Sequence, residues 1–401
     1  TWLDALDPDG RWALLKLVTG ALRVGVSSRL AKQACADLAS LHEVAAEVGD
    51  IEEVWHAAAA PYGDLFAWLE GRSERPSAAA PGRFRPVMLA QAIEDGDFQK
   101  LDPADYAAEW KWDGVRVQAV NEGGARRLYS RTGDDIARAF PDLVEALDFE
   151  GVIDGELLVL RDGAVGTFGD LQQRLNRKTA DAKLIAAHPA GVRAYDLLVD
   201  GTEDLRGHSF AQRRARLEDF IARIGSPRID LSPLQPFGSW DALTALRADP
   251  PAGDPRAAEG LMLKRWDSSY LPGRPKGPWF KWKRDPRLVD AVLMYAQRGH
   301  GKRSSFYSDY TFGVWRVDDN GDRSLTPVGK AYFGFTDEEL RQLDKFVRDH
   351  TVERFGPVRS VRAEAQFGLV LEIAFEGLQR SARHKSGVAM RFPRISRIRW
   401  D

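Results

Sequence analysis

Cysteine is almost absent: Cys35 is the only one in 401 residues. A single thiol cannot build an internal disulfide framework or a multi-cysteine zinc site, and it fits a reducing compartment. Long apolar runs are missing too. No stretch of about 18 apolar residues exists, so no transmembrane helix is expected. No signal peptide is visible, and because the sequence opens at Thr1 without a Met, it is expected to be missing an upstream segment. Net charge is nearly lacking, with 57 Lys+Arg against 59 Asp+Glu. The composition that remains, 44% hydrophobic and 29% charged, is that of a soluble globular protein. At roughly 100–200 residues per domain, the length suits two to four domains.

The small net charge hides an asymmetry. Residues 281–401 carry 23 Lys+Arg and 16 Asp+Glu, a balance of +7, and the rest of the chain carries −9. A basic C-terminal third suits a polyanion partner, with a solvated charged face as the plain alternative.

Along the chain, Ala, Leu and Val recur at helical spacing in Trp12–Leu22, Leu30–Leu41 and Asp50–Ala60. Gly71–Pro86 is rich in Pro, Gly, Ser and Ala and reads as a linker. From Val87 the pattern turns to short strands: Val115–Val120, Arg127–Tyr129, Val152–Leu160, Val192–Leu198, Gly260–Lys264 and Trp279–Trp282. A helix is predicted over Ala211–Ile224. After Asp285-Pro286, further strands are predicted at Val289–Tyr295, Tyr310–Val317, Leu369–Phe375 and Ile395–Trp400. A helix over Thr336–Asp349 interrupts them, opening on a Thr-Asp-Glu-Glu start signal. Short strands with one helix suit a small barrel of the OB type.

The sharpest local feature is Glu109-Trp110-Lys111-Trp112-Asp113-Gly114-Val115-Arg116. A strand-end lysine before an Asp-Gly turn is a candidate nucleophile. Burial between Trp110 and Trp112, with cations nearby, is expected to favour its free amine. Alone, Lys-x-Asp-Gly is short and also describes an ordinary surface hairpin. The segments that follow change its weight: Ser130-Arg131-Thr132-Gly133, Asp154-Gly155-Glu156, Ala194-Tyr195-Asp196-Leu197-Leu198, Glu259-Gly260-Leu261-Met262-Leu263-Lys264 and Trp279-Phe280-Lys281-Trp282-Lys283. In this order they resemble motifs I, Ia, III, IIIa, IV and V of the covalent nucleotidyltransferase superfamily, and within it the ATP-dependent DNA ligases. The resemblance runs from Val87 to Asp401. Arg391-Phe392-Pro393-Arg394 with Arg397 and Arg399 resembles motif VI.

The resemblance implies a multidomain fold. A helical DNA-binding block at residues 1–75, truncated, would be followed by a linker at 76–86. An α+β nucleotidyltransferase core, the ATP-grasp-like adenylation domain of DNA ligases, would occupy 87–284, and a C-terminal OB-fold β-barrel 285–401. Leu22–Ser27 is similar to the end of the DNA-binding domain of larger ligases.

It also implies roles. Lys111 would attack the α-phosphate of ATP and carry AMP, and Glu109 would accept a hydrogen bond from the adenine amino group. Tyr195 would stack on the base. Arg116 and Arg131 would hold phosphate or ribose oxygens. Glu156 would bind ribose or metal, and Glu259 would bind metal, either Mg²⁺ or Mn²⁺. Lys281 and Lys283, alternating on one strand, would face the α-phosphate. Arg274 matches an arginine that precedes motif V, at a spacing shifted by one. Arg397 and Arg399 would clamp the β and γ phosphates. Arg298, Lys302 and Arg303 in one flexible cationic loop, and Arg380, Arg383 and Lys385 in another, would meet the phosphate backbone of nicked duplex DNA. Asp285-Pro286 would be the hinge between core and barrel.

The implied protein is a bacterial, cytoplasmic, nucleoid-associated monomer with no membrane partner. RNA ligases and mRNA capping enzymes share the fold, and a non-catalytic DNA-binding module remains a reading from another class. The Phe-Pro-Arg pattern in motif VI and the helical block favour DNA. NAD-dependent ligases need a four-cysteine zinc site that one Cys cannot build.

Overall fold

The computed structural model describes residues 2–18, 25–55, 62–76, 81–161, 164–175, 177, 179–250, 257–299, 304–317, 320–382 and 384–400. The chain divides into two compact units, Thr1–Lys283 and Arg284–Asp401.

The first unit begins with helices α1 (Trp2–Ala5), α2 (Pro8–Val18), α3 (Ser28–Leu41), α4 (Val48–Trp55) and α5 (Gly63–Leu69). Ser27 caps α3, its hydroxyl accepting from the Leu30 N–H. Ala39, Ile51, Val54, Leu65, Trp68 and Leu69 form a core between α3, α4 and α5. Residues 19–24 and 56–61, where two predicted helices would end and where half of the Leu22–Ser27 resemblance falls, lie outside the described residues.

The segment read as a linker is not free along its length. Phe84 and Arg85 are buried. The Arg85 N–H donates to Gln118 Oε1 at 2.9 Å, and its guanidinium pairs with Glu122 at 2.6 Å. Composition alone hid this, because one Phe and one Arg among Pro, Gly and Ser suffice to anchor it.

Two sheets follow. Their strands are β1 (Gln91–Ala92), β2 (Tyr106–Trp112), β3 (Val115–Glu122), β4 (Ala125–Ser130), β5 (Gly151–Arg161), β6 (Ala164–Val165), β7 (Ala190–Asp200), β8 (Glu203–Asp204), β9 (Ile229–Leu231), β10 (Leu234–Gln235), β11 (Ala258–Arg265) and β12 (Trp279–Lys283). Helices α6 (Pro141–Glu145), α7 (Phe168–Leu175), α8 (Ala182–Ala187), α9 (Phe210–Ile224) and α10 (Trp240–Ala248) pack among them. One sheet has the order β1-β12-β11-β2-β10 and the other β4-β3-β5-β7-β8. The Asp113-Gly114 turn carries the chain from β2 in the first sheet to β3 in the second. A Cβ on Gly114 would meet the Leu157 carbonyl oxygen at 2.4 Å, so only glycine lets the turn approach β5.

The second unit contains β13 (Arg287–Arg298), β14 (Tyr307–Val317), β15 (Arg323–Ala331), α11 (Asp337–Asp349), β16 (Thr351–Phe355), β17 (Val358–Val361), β18 (Val370–Phe375), β19 (Gly377–Arg380), β20 (Val388–Arg391) and β21 (Arg394–Arg399). β13 pairs with β14 along one edge and with β18 and β17 along the other. β15 pairs with β14, and β21 with β18. The Ile395 N–H donates to the Phe333 carbonyl just past β15 at 3.1 Å, which closes the ring as an OB-like barrel. Thr336 and Glu339 form a capping box on α11.

Two segments expected as flexible loops are partly ordered in strands. β14 begins at Tyr307, three residues before the predicted Tyr310, and both tyrosines are buried in the core. Gln379 and Arg380 belong to the β19–β20 hairpin. In both places the cations and small residues masked a short strand.

Among the described residues, no helix is long and apolar enough to cross a membrane.

Candidate active site

The cleft is built on the first sheet. Residues opposite one another across strands share a face. The register of β2, β11 and β12 therefore sets three rungs on that face: Lys111, Gly260 and Lys283; Glu109, Met262 and Lys281; Ala107, Lys264 and Trp279. The other face carries Trp110, Trp112, Leu261 and Phe280 into a core with Leu158 and Leu243. Strand alternation thus corrects one expectation. Trp110 and Trp112 flank Lys111 in sequence but pack away from it, so they do not enclose its amine.

Two residues break the alternation and reach the site for that reason. Glu259 is the extra residue of a bulge between Ala258, opposite Trp112, and Gly260, opposite Lys111. Simple period would put it with Leu261 on the core face, and the bulge re-aims it. Tyr195 is the extra residue of a bulge in β7, where Asp154 opposes Asp196 and Gly155 opposes Ala194.

The resulting cleft has a volume of about 440 Å³ and is lined by Glu109, Lys111, Arg116, Arg131, Glu156, Tyr195, Arg274, Lys281 and Lys283, with Met262, Lys264 and Trp279 among their neighbours. Lys111 Nζ lies 2.5 Å from Glu259 Oε2, and Lys283 Nζ lies 3.6 Å from the same oxygen. Burial works to raise the Glu259 carboxyl, but Lys111, and after it Lys283 and Asp113, outweigh it and hold it below the usual value. Glu156 is the opposite case. Burial pushes its carboxyl up to about 8, with Glu259 and Asp154 adding to the rise and Lys111 and Arg116 resisting. Burial, and then the cations Arg274, Lys283, Lys111 and Arg131, holds the Lys281 ammonium below the usual lysine value. Arg274 therefore sits in the cationic cluster despite its shifted spacing.

Arg116 is more committed than the sequence suggested. It donates to Asp154 through Nε and Nη2 at 3.0 and 2.6 Å, to the Met88 carbonyl at 2.6 Å and to the Tyr270 hydroxyl at 3.0 Å. Most of its fork is spent on Asp154, which is fully buried. Glu109 is 1% exposed, with Oε1 3.1 Å from Arg214 Nη1 and Oε2 2.6 Å from Lys264 Nζ. Oε2 is thus held as a buried ion pair by the Lys264 ammonium.

Sequence reasoning missed Lys264, Arg214, Asp154 and Tyr270. Lys264 and Asp154 stood inside quoted motifs, and a buried charge between apolar strand residues was the available signal. Arg214 and Tyr270 carried none.

In the second unit, Arg397 is exposed on β21, whereas Arg399 pairs with Asp290 at 3.0 Å and Glu372 at 3.1 Å. Arg298 lies against the Tyr307 ring, 5.7 Å from its centroid. Arg380 and Lys385 are exposed. Lys302, Arg303 and Arg383 lie outside the described residues. Among the described residues, no cluster of three His, Cys, Asp or Glu side chains is arranged to hold a metal ion.

Lys111 thus stands in a cationic cleft at the junction of two largely antiparallel sheets. The family model described as ATP dependent DNA ligase domain matches residues 87–283, and that described as ATP dependent DNA ligase C terminal region matches 303–401. A probable DNA ligase of Koribacter versatilis is 34% identical over 428 residues, covering 99% of this chain and 70% of the relative. A probable DNA ligase of Opitutus terrae is 34% identical over 458 residues, covering 100% of this chain and 44% of the relative. Among solved structures, a Lig E DNA ligase shares the fold at a TM-score of 0.51 and 20% identity, covering 79% of this chain and all of that one. The chain belongs to the ATP-dependent DNA ligase family. It is thus an enzyme that uses ATP and acts on DNA, sealing nicks.

Proposed function

We propose that the cleft carries the first chemical step of nick sealing, with Lys111 as the nucleophile. The observation that carries this reading is the convergence of Lys111, Glu156, Glu259, Lys281 and Lys283 from β2, β5, β11 and β12 around one cleft. Lys111 Nζ attacks the α-phosphorus of ATP, a nitrogen–phosphorus bond forms, and pyrophosphate leaves. The amine must first lose a proton to solvent, and Glu259, 2.5 Å away but held below the usual carboxylate value, orients the side chain rather than serving as the base. Lys281, Lys283, Arg131 and Arg274 hold phosphate oxygens and balance the charge that builds at phosphorus. Tyr195 and Met262 border the slot for adenine, and Glu109 reads the base edge. Its place on the cleft face of β2, opposite Met262 and among the residues that line the cleft, supports this. Arg116 braces Asp154 and the β3–β5 wall.

Glu259, and Glu156 once it gives up its proton, would hold Mg²⁺ or Mn²⁺ through their oxygens, and the ion would neutralise phosphate charge. AMP then passes from Lys111 to the 5′-phosphate at a nick, and the adjacent 3′-hydroxyl attacks that phosphate and releases AMP. Arg397, with Arg399 behind it, belongs to the ATP-charging step. Arg298, Lys302, Arg303, Arg380, Arg383 and Lys385 belong to DNA. The helices of 1–75 read as the end of a DNA-binding domain, 87–284 as the adenylation domain and 285–401 as the OB domain. Asp285-Pro286 is the pivot between the last two. The setting this reading carries is a monomer in the bacterial cytoplasm, acting on nucleoid DNA.

Incubation with ATP labelled at the α-phosphate leaves label on the parent protein and none on Lys111→Ala. Label persisting in the variant would move the nucleophile elsewhere. Charging by GTP in place of ATP would point to a capping enzyme, and sealing of nicked RNA in preference to nicked DNA to an RNA ligase.

A further inference from the structure

Lys264 is a cation with no outlet to water. It is 1% exposed, on the cleft face of β11 opposite Ala107 and Trp279. A buried ammonium is costly unless it is paired. Here its Nζ sits 2.6 Å from Glu109 Oε2 and donates to the Tyr195 carbonyl at 3.0 Å. The rings of Tyr195, Trp279 and Phe210 surround it, with centroids 4.6, 4.8 and 4.9 Å away. One side chain therefore touches both the carboxylate and the main chain of the aromatic residue that border the base slot. These two groups come from different sheets: Glu109 lies on β2, and Tyr195 on the bulge of β7.

Arg214 does not duplicate this link. Its guanidinium holds Glu109 Oε1 at 3.1 Å and the Ser232 carbonyl at 2.8 Å, and its Nε bonds Glu218 at 2.7 Å. It fixes Glu109 from behind and makes no contact with Tyr195 among the described hydrogen bonds. Among the described contacts, Lys264 is the one that ties Oε2 to the bulge that carries Tyr195.

We propose that Lys264 is a positioning residue for base recognition, locking the Glu109 carboxylate and the Tyr195 bulge into one unit that selects adenine. The inference rests on the reading of Glu109 as the base-reading group. Lys264 itself need not touch the nucleotide. Without it, Glu109 keeps its Arg214 partner and its charge, but Oε2 loses its fixed direction and the stacking ring loses its tether.

The test compares lysyl-AMP formation from ATP with lysyl-nucleotide formation from purine riboside triphosphate, which lacks the 6-amino group. The ratio of the two kcat/KM values reports how well the amino group is read. A merely structural residue would change both substrates alike. In Lys264→Met the ratio is expected to fall about tenfold, mostly through a higher KM for ATP, on the scale that a single well-placed hydrogen bond discriminates. Lys264→Gln keeps an N–H donor without the charge and is expected to lose about threefold. It carries the test if the Met variant does not fold. An unchanged ratio in a folded variant overturns the proposal.

The double variant Glu109→Met/Lys264→Met removes both partners together and serves as the control for the underlying reading. If it keeps the parent's ratio, Glu109 does not read the base. If it loses the ratio while Lys264→Met and Lys264→Gln keep it, Glu109 reads the base and Lys264 plays no part.

Discussion

Glu156 and Glu259 are two carboxylates beside one lysine, and their surroundings push them apart. Glu259 is ion-paired to Lys111 and Lys283 and stays below the usual range, whereas burial takes Glu156 up to about 8. Glu156 is then protonated in the folded chain at neutral pH and ionised in the unfolded one. The unfolded chain binds fewer protons between about 4.5 and about 8, so the contribution of Glu156 to stability falls as pH rises through that window. Glu156→Gln removes the titration. Its denaturant midpoint relative to the parent is expected to rise between pH 5 and pH 8, by a margin on the order of a few kcal/mol at most. A constant difference across that window would mean that Glu156 ionises normally. The pairing of roles was legible in the motifs, but the split in proton affinity was not. It depends on Glu259 being turned toward Lys111, 148 residues away in the chain.

Elements place side chains through register, and the sequence shows register only where alternation is regular. Lys281 and Lys283 on β12 could be assigned to one face from their spacing, and the structure puts them there. Glu259 and Tyr195 could not, because each is the odd residue of a bulge. Nor could the partners of α9. Its capping box, Ser209 with Gln212, is a local signal, but Arg213 finds Asp196 only in three dimensions. Both members of that pair are fully buried, with bonds of 2.8 and 3.0 Å. Asp196→Ala leaves the Arg213 charge buried and is expected to cost about 3–5 kcal/mol, read by urea unfolding. Replacing both, as Asp196→Leu/Arg213→Met, should recover most of it. A double-variant loss equal to the sum of the two single-variant losses would show that the pair is not coupled. In the second unit the weak point is Gly334. It has φ +98°, and a Cβ there would lie 2.0 Å from the Ile395 carbonyl oxygen, at the hydrogen bond that closes the barrel. Gly334→Ala is expected to destabilise this unit by about 2 kcal/mol or more. A variant with parental Tm would mean that the closure is soft.

Over the whole molecule, charge is distributed unevenly: +7 over residues 281–401 and −9 over the remainder. The exposed cations of the second unit include Arg380 and Lys385 on and beside the β19–β20 hairpin. The hairpin was read from sequence as a cationic loop, and its pairing gives those charges a firmer mount than a loop would. A duplex with a nick offers phosphates rather than a base pattern, so binding should be dominated by displaced counterions. The logarithm of the association constant for nicked duplex should then fall linearly with the logarithm of salt concentration, with a slope near −0.9 for each phosphate neutralised. Arg380→Glu and Lys385→Glu are each expected to make that slope shallower by about 1 and to weaken binding alike for nicks of different sequence. Lysyl-AMP formation measured without DNA should be unchanged in both, since neither residue lines the cleft. Salt slopes equal to the parent's in both variants would remove the hairpin from the DNA interface and leave the positive balance of this unit as an ordinary solvated surface.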